Sequence, residues 1–279
     1  MFVRTATSIV GLPVVVAAAW FGGAWLLILL AVVALLGLWE FSRLTAGMGG
    51  GPGLVLMAAG SLALLLNAYL GWGRGDVIIG ASALALLSWM TFRAWASGPV
   101  PTGAETGRAL PPHQGAALSW ALALSGVLYL GWTLPHAILL RGLPDGGEWL
   151  VTAAAVVFAT DTAAYLVGRA VGRLPMAPGI SPRKTWEGAL GGVAGGIAAA
   201  VGLTAAFALP VAWWQAVLLG GSITLAAEVG DLAESLLKRA SGAGASGRLF
   251  PGHGGILDRL DSMAFGIVVG YYFVTWVVT

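Results

Sequence analysis

Nine uninterrupted apolar runs divide this chain almost end to end, each long enough to cross a bilayer as a helix. They cover residues 5–22, 24–42, 53–71, 77–96, 115–140, 149–171, 187–208, 211–238 and 256–279. A spanning helix needs about 20 mostly apolar residues, and backbone in lipid must satisfy its own hydrogen bonds. The runs are continuous rather than alternating, so helices are predicted and a barrel is not. Only 9% of the 279 residues are charged, while 58% are hydrophobic. A water-soluble domain carries about a quarter charged residues, so the excess apolar surface here has to face lipid. The expected fold class is an all-α polytopic membrane protein with about nine transmembrane helices, built as one integral membrane domain over 1–279.

The basic residues set the expected direction of the spans. Arg74 and Arg141 fall on one side of the predicted helices, and the other twelve of the fourteen Lys and Arg fall on the opposite side. The positive-inside rule then places the N-terminus in the cytoplasm and the C-terminus across the membrane. The opening "MFVRTATSIVGLPVVVAAAW" reads as a first transmembrane helix rather than a cleaved signal peptide. Net charge is +2 and there are no cysteines, so nothing suggests a nucleic-acid surface, and disulfides and thiolate metal sites are excluded. Residues 97–114 and 241–250, rich in Gly, Pro or Ser, are expected to be flexible connections.

Acidic residues are concentrated where lipid should be. Asp161 lies in the sixth run, Glu228, Asp231 and Glu234 in the eighth, and Asp258 and Asp261 open the ninth. A charge at the centre of a span costs at least about 2.5–3.5 kcal/mol, so such residues mark function or pairing. Spacings of three keep the two groups on slowly turning helix faces. Clustered carboxylates repel unless a cation neutralises them, and oxygen-only donors suit a hard ion such as Mg²⁺. Pairing with Lys238, Arg239 and Arg259 is the competing account. On the basic side, "ISPRKTWEG" sets Ser181, Arg183, Lys184 and Thr185 before a helix start, an arrangement suited to phosphate. "PGHGG" offers backbone that a ligand can approach closely, with His253 beside Gly254. Gly188, Gly192 and Gly196, four apart, read as a helix-packing stripe. Cations for phosphate beside carboxylates for a metal point to metal-assisted phosphoryl or nucleotidyl transfer.

"SLLKR" followed by "PGHGGILDRLD" resembles the signature of the phosphatidate cytidylyltransferases, or CDP-diacylglycerol synthases. "DTAAYLVGRAVGR", "ISPRKTWEGALGG" and "GDLAES" resemble further blocks of that family, so the strong similarity spans roughly 158–265. The resemblance implies a polytopic, homodimeric inner-membrane enzyme whose active site faces the cytoplasm. It would use Mg²⁺, with a second cation left open, to make CDP-diacylglycerol and pyrophosphate from CTP and phosphatidic acid. Helices 1–5 (1–147) would then form an N-terminal part and helices 6–9 (148–279) the catalytic part. Asp231, Asp258 and Asp261 are the expected catalytic and metal-binding residues. Ser181, Arg183, Lys184, Thr185, Lys238, Arg239, His253, Gly254 and Arg259 are the expected substrate contacts. One departure stands out: the family's Lys-Asp pair between "KR" and "PGHGG" is replaced by Gly244 and Ala245. A catalytically impaired relative, a CTP-dependent polyprenol- or phytol-type lipid kinase, and a secondary transporter are the alternatives.

Overall fold

The break between the first two apolar runs falls on two glycines. Gly22 and Gly23 both adopt positive φ, 65° and 56°, a conformation that side chains with a Cβ avoid. They separate a helical segment at 17–21 from α1 (Gly23–Thr45). In this computed structural model the described residues are 17–48, 53–96, 112–244, 246–247 and 254–278. Arg141 covers the break, donating from Nε to the Ala19 carbonyl (3.0 Å) and from Nη2 to that of Trp20 (2.8 Å).

The helices that follow are α2 (Leu54–Leu70), α3 (Gly75–Ala96), α4 (Pro112–Gly126), α5 (Pro135–Arg141) and α6 (Gly146–Val171). After them come α7 (Trp186–Ala206), α8 (Trp213–Ala240) and α9 (Leu257–Phe273). A π-helical turn, Val127–Trp132, carries α4 on toward α5. Among the described residues seven helical stretches are long and apolar enough to cross a membrane, and α2 is a shorter apolar helix. These eight coincide with the second to ninth predicted runs. Of the first run, only 17–22 lies within the described residues.

Small side chains let the helices approach. The most extensive packing is α6 on α7, with α8 against both α7 and α9. Gly188, Gly192 and Gly196 are all buried in α7. A Cβ on Gly192 would come within 3.2 Å of Ala164, and one on Gly196 would collide with Thr160 and Thr224. Those two threonines share a 2.8 Å hydrogen bond between their hydroxyls. The glycine stripe thus does the packing expected of it, since association in lipid depends on close fit rather than on apolar burial. Leu26, Leu30, Ala34, Leu38 and Phe41 form the buried face of α1, whereas Trp25, Leu84, Trp95 and Trp213 are exposed, as lipid-facing side chains must be.

One element departs from the expected all-helical pattern. Between α6 and α7 the chain makes an antiparallel hairpin, β1 (Pro175–Ala177) with β2 (Ser181–Thr185). Arg239 at the end of α8 donates from Nε to the Ile180 carbonyl (3.1 Å), fastening the hairpin to α8. Thr185 ends β2 and caps α7, its hydroxyl accepting from the Gly188 amide at 3.2 Å.

Candidate active site

In β2 Arg183 is exposed, whereas Lys184 is half-buried and reaches α8. The Lys184 ammonium lies 2.6 Å from Glu228 Oε2 and 2.9 Å from Asp231 Oδ2. Burial pulls its pKa down, but Asp231 and Glu228 more than offset that and hold it above the ordinary lysine value. Two turns further along α8, Lys238 pairs with Glu234 and, at 2.8 Å, with Asp258 Oδ1. The Glu234 side chain is completely buried. Two lysines thus bridge four carboxylates, and Lys238 ties α8 to α9.

Asp258 is committed on both oxygens. While Oδ1 meets Lys238, Oδ2 accepts from the Gly255 amide (2.8 Å), the Ser246 hydroxyl (2.8 Å) and the Ser246 amide (3.3 Å). Gly254, at φ 81°, makes the turn that brings these amides round. A carboxyl group from the far end of the sequence completes the region: Glu40 Oε2 on α1 accepts from the amides of Ile256 (2.7 Å) and Leu257 (3.1 Å).

Asp261, one turn into α9, accepts from the Ser262 amide at 2.7 Å. It lies within electrostatic range of Asp231 and Asp161, and neither lysine is in ion-pair contact with Asp161 or Asp261. Asp161 is exposed on α6, ten residues before Val171, or about 15 Å at 1.5 Å per residue. A carboxylate inside a membrane-spanning helix marks a polar path or a partner rather than a lipid contact. Tyr129, in the π-turn, packs its ring on Phe265 at 6.1 Å between centroids. Its buried hydroxyl has no hydrogen-bond partner and lies in the field of Asp261, Glu234, Asp231 and Asp258. Single π-turns recur at functional sites.

The expected residues therefore divide. Asp231, Asp258, Asp261, Lys184, Lys238 and Gly254 come together. Thr185 spends its hydroxyl on the α7 cap, Arg239 holds the hairpin, Ser181 is half-buried in β2, and Arg259 is exposed on the first turn of α9. His253 and Ala245 lie outside the described residues. Missed from the sequence were Glu40, Tyr129 and Ser246. Glu40 had a readable signal, an acid inside the apolar run 24–42; the other two had none.

The donor set is all hard oxygen, which suits Mg²⁺. Asp231 and Asp261 lie within electrostatic range of one another and of Asp161. To take the ion Asp231 would have to release Lys184 and Ser235, and Asp258 its amides and Lys238. As the side chains stand, no three Asp, Glu or His among the described residues converge on one ion position. Metal binding there would require the carboxylates to turn inward.

The sequence model of the cytidylyltransferase family matches residues 2–277 of this chain, practically its whole length. The chain belongs to that family. It is 31% identical to the phosphatidate cytidylyltransferase of Synechocystis over 300 aligned positions, covering 97% of this chain and 95% of that one. Over 150 positions it is 43% identical to the phosphatidate cytidylyltransferase of Brucella suis, and over 131 positions 40% identical to that of Mycobacterium tuberculosis. The Brucella match covers 53% of this chain and spans about half the length (55%) of the relative; the mycobacterial match covers 47% and 40%.

Proposed function

We propose that this protein transfers the cytidylyl group of CTP to phosphatidic acid, giving CDP-diacylglycerol and pyrophosphate. The observation that carries this is the bridged cluster itself: Lys184 and Lys238 hold the carboxylates of α8 and α9 together at the end of the helices where basic residues collect. Family membership and the activity for which the relatives are named support the same reaction. By the charge bias that end faces the cytoplasm, where CTP is found, with the N-terminus on the same side and the C-terminus opposite. Inner-membrane location, a homodimer and the division into 1–147 and 148–279 follow from the family resemblance.

In the reaction a phosphate oxygen of phosphatidic acid attacks the α-phosphorus of CTP. A new P–O bond forms as the bond to the α–β bridging oxygen breaks, and that oxygen leaves with pyrophosphate. No protein nucleophile is required, so positioning and charge neutralisation supply the catalysis. The exposed Arg183, Arg239 and Arg259 receive the triphosphate, with Ser181 and Gly254 beside them. The family resemblance adds His253 as a substrate contact and Thr185 through the turn it caps. Lys184 and Lys238 orient the carboxylates. Asp231 and Asp261 would hold Mg²⁺, which when bound neutralises phosphate charge. The lipid headgroup would approach sideways from the inner leaflet, past Asp161.

The test is purified protein with CTP, phosphatidic acid and Mg²⁺, with lipid products identified by mass and pyrophosphate measured alongside. CDP-lipid and pyrophosphate in equal amounts are expected. A phosphorylated lipid with CDP released would identify a lipid kinase. No product, with CTP still bound, would identify an impaired relative, the reading that Gly244 and Ala245 favour.

A further inference from the structure

Helix α9 begins without a cap of its own. Its N-cap residue is Ile256, which has no side chain able to accept a hydrogen bond. The opening amides of a helix lack intrahelical acceptors and carry the positive end of its dipole. Here an acid 216 residues away serves them: Glu40 Oε2 accepts from Ile256 at 2.7 Å and from Leu257, 217 residues away, at 3.1 Å. Glu40 is 1% exposed and is the one acid of α1. Its second oxygen, Oε1, is buried and has no hydrogen-bond partner.

Two glycines make the room. A Cβ on Gly247 would collide with Glu40 Oε1, and one on Gly255 with Glu40 Oε2 and the Ser246 hydroxyl. Neither glycine has positive φ, so the need is for space and not for a special backbone conformation. The contacts run on into the site. Gly255, next to Ile256, donates its amide to Asp258, and Asp258 holds Lys238 through its other oxygen. Glu40 therefore grips the backbone that aims Asp258, at the start of the helix turn that also carries Asp261.

We propose that Glu40 is a positioning residue for nucleotidyl transfer. It clasps the first amides of α9 and thereby sets the Asp258–Lys238 pair, so the N-terminal helices help to build the site. The inference rests on the reaction proposed above. Glu40 itself need touch neither substrate nor metal.

Four full-length variants, purified beside the wild type, test it: Glu40→Ala, Glu40→Gln, Gly247→Ala and the double variant Glu40→Ala with Gly247→Ala. Each is measured for CDP-lipid kcat and KM, and for amide hydrogen exchange at 256–257. Misplacing catalytic groups by about 1 Å costs up to a hundredfold, so Glu40→Ala should lose about 10- to 100-fold in kcat with CTP KM changed less than about threefold. Glu40→Gln keeps a carbonyl oxygen and should recover most of that loss. Gly247→Ala pushes on Glu40 and should resemble Glu40→Ala, while the double variant should be no worse than Glu40→Ala alone. Exchange at 256–257 should quicken in Glu40→Ala.

Wild-type kcat in Glu40→Ala, or losses from the two single variants that multiply in the double, would overturn the proposal. If Glu40→Ala does not fold, Glu40→Gln and Gly247→Ala carry the same comparison. A wild type that makes no CDP-lipid overturns the reaction instead, and exchange at 256–257 then decides the clasp by itself.

Discussion

Lys238→Met should be among the most damaging single changes in the molecule, and chiefly for electrostatic reasons. Methionine keeps the unbranched stem that packs along α8 but removes the ammonium between Glu234 and Asp258. Asp258 would still have the Ser246 and Gly255 donors. Glu234 would not: its side chain is fully buried, neither oxygen has a hydrogen-bond partner, and Lys238 is its ion-pair contact. Removing one partner of a buried pair costs about 3–5 kcal/mol, because the other charge is left uncompensated. The Glu234 side of the pair therefore accounts for most of the expected loss. Thermal unfolding in detergent should show a large fall in midpoint for Lys238→Met and a smaller one for Glu234→Gln. Adding Glu234→Gln to Lys238→Met should recover much of the midpoint, since no buried carboxylate is then orphaned. If Lys238→Met is as stable as the wild type, or the double variant is worse than Lys238→Met, the charge-compensation argument is wrong.

Other expectations are more local. Asp231→Asn and Asp261→Asn should each abolish Mg²⁺-dependent turnover while the protein stays folded, whereas Asp258→Asn should also loosen hydrogen exchange at 246 and 255; turnover and exchange measured on the same preparations check both. Gly244→Lys with Ala245→Asp should raise CDP-lipid turnover, by at most the hundred- to thousandfold worth of one lost transition-state contact, and a Cβ at Gly244 meets nothing within 4 Å. Gly196→Leu, forced against Thr160 and Thr224, should cost about 1–3 kcal/mol or more and show as a lowered unfolding midpoint with little change in KM. The raised pKa of Lys184 means that its ion pairs stabilise the fold fully below the ordinary lysine value, and that this is lost only as pH climbs through the raised folded value. Lys184→Met should accordingly lower the midpoint equally at pH 7 and pH 9.

Much of the architecture was legible because lipid imposes a simple code. Continuous apolar runs had to be helices, and the second to ninth runs are found as helices among the described residues. The packing stripe at Gly188, Gly192 and Gly196 was legible for the same reason, since small residues at helical spacing have few other uses in a membrane. The hairpin was not, because β2 is short, polar and interrupted by Pro182, with none of the apolar alternation that announces a strand. Lys184 was read as a phosphate ligand from its place before α7. Its contacts with Glu228 and Asp231 join residues more than forty positions apart, and no local pattern reports such a pairing. The acids of α8 and α9 were found by their density. Glu40, alone in its helix, was not, although it reaches the same turn of α9. Tyr129 carries its one polar atom at the tip of an apolar ring and sits in a run of aromatic and aliphatic residues, so only the fold brings that atom to the carboxylates.

The fate of labelled CTP tests the central claim most directly. Purified protein in lipid vesicles containing phosphatidic acid is given Mg²⁺ and CTP labelled at either the α- or the γ-phosphate, and the label is followed into lipid. Cytidylyl transfer at this site predicts α-label in the lipid fraction and γ-label in free pyrophosphate. γ-Label in lipid, or no label in lipid from either CTP, would contradict it.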